Sequence, residues 1–140
     1  MESATSESAK QLVSGVDFVN VPTQDFDRAV EFYGTVLGLP ESKRYGRMPG
    51  VEFETGNLTL AVIEPTAFGQ EFHPNRNPIA LHVDDVEATR AELESQGINF
   101  LMDTMDSGVC HMAAFEDRDG NVLMLHHRYA PPDARRPGIE

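Results

Sequence analysis

A chain of 140 residues, 40% hydrophobic and with a formal net charge of −12, is long enough to bury the core of one domain and too acidic to favour nucleic-acid backbones or anionic membranes. Its one cysteine, Cys110, excludes an internal disulfide and fits a reducing compartment. No apolar run reaches membrane-spanning length, and the first 14 residues lack the basic and apolar regions of a signal peptide, so a cytoplasmic protein is expected.

In chain order, residues 1–14 begin Ser/Glu-rich and read as a flexible N-terminus. Val16–Val21 is a short strand with Val16, Phe18 and Asn20 on one face. Thr23 or Asp25 caps a helix running to Leu37, in which Phe26, Ala29, Val30, Tyr33 and Val36 follow helical spacing and Gly38 supplies the stop. Residues 40–50 read as a loop containing Arg44, Tyr45 and Arg47. Residues 51–55 and 58–64 form a hairpin about Gly56-Asn57, and 65–78 form a long loop.

The order of elements then starts again. Ile79–Val83 is a strand, 85–96 a helix stopped by Gly97, and 98–101 a brief extended piece. A further strand, 109–115, is followed by the turn Asp117-Arg118-Asp119-Gly120-Asn121 and the strand 122–127, whose Val122, Met124 and His126 share a face. Residues 129–140, with three prolines, are a tail. Asp25 and Asp85 hold matching places, as do the Gly-Asn pairs at 56–57 and 120–121, giving a repeat of about 60 residues. The repeat divides a single domain, 15–128, into two α+β modules at about 15–64 and 79–128, related by a pseudo-twofold axis.

The segment Asp25-Phe26-Asp27-Arg28-Ala29-Val30-Glu31-Phe32-Tyr33, followed by Leu37-Gly38-Leu39, resembles the first-helix signature of the vicinal oxygen chelate superfamily. Leu81-His82-Val83-Asp84-Asp85-Val86 and the 117–121 turn are similar to its second-module signatures. That superfamily includes glyoxalase I, extradiol dioxygenases, thiol-transferring fosfomycin resistance enzymes and bleomycin-binding resistance proteins. Over residues 16–128 the resemblance implies a glyoxalase-like fold, two tandem βαβββ modules forming a cup-shaped mixed sheet, commonly in a homodimer. It says little about the reaction.

The resemblance also implies four inward strand positions for metal ligands. Counted from the capping aspartates and the turn glycines, these are Phe18, Pro78, Met124 and Leu60. None offers a donor for a hard or borderline divalent ion, so neither a bound metal nor a cofactor is expected. By strand alternation Asn20, Val62, Ala80, His82, Val122 and His126 should face the same side. Phe18, Asn20, Leu60, Val62, His82, Met124 and His126 then line either a pocket for a small organic ligand or a filled core.

His82 and His126 suit a new metal site, a proton-transfer pair, or ligand hydrogen bonds. His127 should point away from the cup. Cys110 and His111, adjacent on a strand, point to opposite faces and make a poor nucleophile–base pair. Three function classes follow. One is a metal-independent small-molecule-binding protein, like the bleomycin-binding members that sequester an antibiotic. Another is a metal-independent lyase- or isomerase-type enzyme using His82 or His126 as acid/base. The third is a dimeric interaction domain with a degenerate pocket. The acidic balance suits a cationic ligand, whereas Arg44 and Arg47 suit an acidic one.

Overall fold

The structure, a computed structural model, describes residues 10–131; the outer parts of the expected flexible start and tail, 1–9 and 132–140, lie outside the described residues. The chain forms two four-stranded mixed sheets. The first takes β1 (Phe18–Pro22), β2 (Glu41–Arg44), β3 (Gly50–Glu54) and β4 (Thr59–Ile63), in the order β1-β4-β3-β2. The second takes β5 (Ile79–His82), β6 (Met105–Asp106), β7 (Cys110–Glu116) and β8 (Val122–Arg128), in the order β5-β8-β7-β6. In each, the first strand runs parallel to the last and the remaining pairs are antiparallel. These paired open sheets are the α+β glyoxalase-like fold.

Each crossover helix starts on its aspartate. Asp25 accepts from the Arg28 amide at 3.2 Å to open α1 (Phe26–Glu31), and Asp85 accepts from the Ala88 amide at 3.0 Å to open α2 (Val86–Ser95). The expected first helix does not continue as α-helix to Leu37. After Glu31 it widens into a π turn, Phe32–Val36, closed by Leu37 N–H donating to the Phe32 carbonyl at 2.9 Å. Phe32 and Tyr33 are both buried there, their rings edge to face with centroids 5.1 Å apart.

Three further expectations are corrected. Residues 40–50 are not all loop, since Glu41–Arg44 pairs with β3 as an exposed edge strand. Its sequence, Glu-Ser-Lys-Arg, has no buried face and hence no alternation to read. Residues 98–101 form only a bridge between Phe100 and Phe115, and the short strand Met105–Asp106 pairs with β7 instead. The start of the tail is tied down: the amides of Tyr129 and Ala130 donate to the Val109 carbonyl, and the Tyr129 hydroxyl donates to Asp106 at 2.8 Å.

One core serves both halves. Val21, Phe53, Leu60 and Val62 from the first sheet are buried in the same cluster as Phe115, Leu123 and Leu125 from the second. A polar clasp joins the halves along one seam, where the 117–121 turn reaches across to β1 and α1. Asn121 Nδ2 donates to the Pro22 carbonyl at 2.8 Å, and Asp119 accepts from Thr23 Oγ1 at 2.6 Å and from the Gln24 amide at 2.8 Å. Tyr33 donates to Asp117 at 2.6 Å. Arg118 pairs with Glu31 and lies over the Phe32 ring. Among the described residues no helix is long and apolar enough to cross a membrane.

Candidate functional site

Strand register decides which side chains share the sheet face away from the helices. In the first sheet Phe18 pairs with Thr59 and Asn20 with Ala61, so Phe18, Asn20, Thr59 and Ala61 lie on that face. Leu60 and Val62, expected beside them, pair with Val19 and Val21 and face the core, fully buried. The cause is turn length. Glu54 and Thr59 enclose four residues, whereas Glu116 and Val122 enclose five. Aligning the two Gly-Asn pairs therefore shifts one strand by a residue, and such a slip exchanges its faces. The counterpart of Met124 is Ala61.

In the second sheet Ala80 pairs with Met124 and His82 with His126, and Val122 joins them by alternation. Opposite these on β7 stand Met112, across from His126, and Ala114, across from Met124; Met105 pairs with Met112. The face thus carries three methionines, of which Met105 and Met112 escaped the sequence reading. The alternation of Met112 and Ala114 with buried Ala113 and Phe115 is the signal that marks it. Glu52 and Glu54 were also missed. They alternate with buried Val51 and Phe53 and pair with Ala61 and Thr59 on the first sheet's open face.

That face carries two carboxylates and one ammonium, since Lys43 pairs with Glu52 in register and its Nζ lies 5.9 Å from the centre of the Tyr45 ring. Glu52 accepts from the Tyr45 hydroxyl at 2.6 Å, and Glu54 from the hydroxyls of Ser42 and of Thr59. Those hydroxyls, Ser42 first, hold the Glu54 carboxyl below its ordinary value, so it stays charged. Arg44 does not balance it. Its guanidinium pairs with Glu41 at 2.7 Å and lies over the Phe26 ring.

The histidines divide differently from the expectation. His82 stands opposite His126 in register, yet its ring lies 5.8 Å from that of His127, with Nε2 3.4 Å from Asp84. His127 is not turned out to solvent at every atom: its Nδ1 is buried and, among the described residues, without a hydrogen-bond partner. Cys110 is buried and forms no disulfide.

The four positions that would carry metal ligands hold Phe18, Ala61, Pro78 and Met124. Two aromatic or aliphatic side chains, a proline and a thioether do not fit a divalent ion. Among the described residues no group of three or more His, Cys, Asp or Glu side chains is placed to hold one.

A cavity of about 480 Å³ opens between the halves on the helix side of the sheets, beside the free edge of β5. Leu60 and His82 line it, together with Leu37, Leu81, Leu93 and Leu125; Phe18, Asn20, Val62, Met124 and His126 do not.

Comparison with known proteins agrees with this architecture. A glyoxalase family protein from Bacillus anthracis superposes with a TM-score of 0.71 at 24% identity, covering 86% of this chain and 99% of its own. TnmS3, an antibiotic binding protein from Streptomyces sp. CB03234, gives 0.71 at 24%, covering 85% and 99%. A glyoxalase/bleomycin resistance protein from the same Streptomyces gives 0.63 at 25%, covering 77% and 96%. No curated protein matches the chain by sequence. The family model for the Glyoxalase/Bleomycin resistance protein/Dioxygenase superfamily matches residues 15–125, and the chain belongs to that superfamily.

Proposed function

We propose that this protein binds a small organic molecule on its open sheet faces without a metal, in the manner of a sequestering resistance protein rather than a chelate enzyme. The observation that carries the reading is the chemistry of Phe18, Ala61, Pro78 and Met124, which leaves a metal-polarised reaction no ligands. Apolar contact comes from Phe18, Ala80 and Met124, with Met105 and Met112 adding polarisable sulfur suited to aromatic rings. Asn20, His126 and the carboxylates of Glu52 and Glu54 supply orientation, and the carboxylates favour a ligand with a positive group. A fold shared with an antibiotic binding protein is compatible with such a role. The acid/base alternative is weaker, because His82 directs its ring toward His127 at the edge of the face.

The working unit in this reading is a homodimer. Phe18, on the edge strand β1, is 48% exposed, and Leu12 and Val16 before it in the chain are exposed as well, apolar surface that a second copy would cover. A single buried cysteine suits the reducing cytoplasm.

The test is a calorimetric titration of wild type, His126→Ala and Met124→Glu against polycyclic natural products and small metabolites. His126→Ala should lose about 1–3 kcal/mol of affinity if it leaves a buried partner unmet, and Met124→Glu more, because a carboxylate is forced into the floor. Absence of any binder, or a Met124→Glu variant with intact affinity, overturns the reading. Turnover by wild type that is lost in a His126→Ala variant still able to bind replaces it with the enzyme reading.

A further inference from the structure

The two seams between the modules are pseudo-equivalent but unequally filled. Counting from the capping aspartates, Tyr33 corresponds to Leu93 and Phe32 to Glu92. On the clasped seam, the 117–121 turn meets Tyr33 through one hydrogen bond, to Asp117, and Phe32 through the Arg118 guanidinium over its ring. On the other seam the four-residue turn spends its polar groups on itself: Thr55 Oγ1 donates to the Leu58 carbonyl at 2.6 Å and lies 3.2 Å from Asn57 Oδ1. A leucine in place of the phenol, and a turn one residue shorter, leave the cavity of about 480 Å³ unfilled.

We propose that this inter-module cavity, beside the free edge of β5, is a second binding site for a small apolar molecule carrying one cationic head. Its volume lies within the range of small-molecule pockets, and its walls, Leu60, Leu81, Leu93 and Leu125 among them, are aliphatic. Its rim is polar, with Thr89 and Glu92 on α2, Thr55 and Asn57 on the turn, and His82 on β5. Glu92 is the one carboxylate in the lining and no lysine or arginine stands there, so the mouth attracts a cation and repels an anion. The cavity shares Ala80 and His82 with the edge strand of the second sheet's open face, but neither Met124 nor His126 lines it, so binding at the two places is told apart at those two residues.

The probe is 1-naphthylmethylamine, with 1-methylnaphthalene and 1-naphthoate as its neutral and anionic counterparts, titrated into the isotope-labelled full chain and followed by amide chemical shifts. Millimolar or tighter binding is expected, with shifts centred on Leu37, Leu60, Leu81 and Leu93 and affinity in the order amine, hydrocarbon, carboxylate. Glu92→Gln should remove a roughly fivefold advantage of the amine while leaving the hydrocarbon unchanged. Leu93→Phe, which partly restores the bulk found at Tyr33, should weaken all three. If it does not fold, Thr89→Leu at the rim serves the same purpose. Shifts centred on Met124 and His126, no binding at millimolar probe, or affinities unmoved by both filling variants would overturn the proposal. So would a Glu92→Gln variant that keeps the amine preference.

Discussion

The hydroxyl of Tyr33 donates to Asp117 across 84 positions of sequence, at 2.6 Å and out of contact with solvent. The carboxylate is satisfied on both oxygens. Oδ1 accepts from the amides of Asp119 and Asn121 at 2.8 and 2.9 Å, and Oδ2 from Tyr33 and from Asn121 Nδ2 at 2.7 Å. A buried charge is tolerated only on such terms. Tyr33→Phe removes one charge-assisted bond and should cost about 1.5–3 kcal/mol. Asp117→Ala strands several donors at once and should cost about 3–5 kcal/mol. Urea denaturation measures both, and a Tyr33→Phe variant as stable as wild type would deny the clasp its role.

Alkaline pH should act on the same residue. Burial, and then the Asp117 carboxylate beside it, push the Tyr33 hydroxyl well above its ordinary value of 10.0. Burial and Glu52 push Tyr45 up to about 12, and the hydrogen bond to Asp106 raises Tyr129. Below the unfolded tyrosine value both states are protonated and the stability is fully present. Above it the unfolded chain loses protons that the folded chain keeps, so stability falls as pH rises. The urea midpoint should therefore drop between about pH 9 and about pH 11, less steeply in Tyr33→Phe than in wild type. Equal slopes would contradict this.

Metal content offers a direct check on the donor argument. Protein purified without a histidine tag and dialysed should contain well under one divalent ion per chain, because Phe18, Ala61, Pro78 and Met124 supply no ligands. Stoichiometric zinc, nickel, manganese or iron by elemental analysis would refute it and direct attention to the histidines.

Assembly is testable through Phe18. Light scattering should give twice the 15.5 kDa of one chain, and Phe18→Asp, placing a charge on the exposed edge of the first sheet, should shift the population toward monomer. Monomeric wild type at micromolar concentration would rule the dimer out.

The repeat, both helix caps and the hairpin turns were legible because each is a local signal: an aspartate before an apolar helical stripe, or glycine with a positive φ in a turn, as at Gly56 and Gly120. The second sheet's face was read correctly for Ala80, His82, Val122, Met124 and His126, since alternation within single strands suffices. Leu60 and Val62 were misassigned because their face depends on comparing two turns of unequal length, a property of the pair and not of either strand. The cavity was illegible for a similar reason. It arises from Leu93 standing opposite a short turn, a juxtaposition made only when the halves pack.

The unequal seams also have a mechanical meaning. Side-chain bonds from Asp117, Asp119 and Asn121 fix one side of the sandwich, while the turn at 55–58 turns its hydrogen bonds inward and leaves its neighbours to aliphatic contact. Directional bonds therefore hold the 117–121 side in a single register, whereas the side where Leu93 faces the 55–58 turn is held by apolar contact, which prescribes no one orientation.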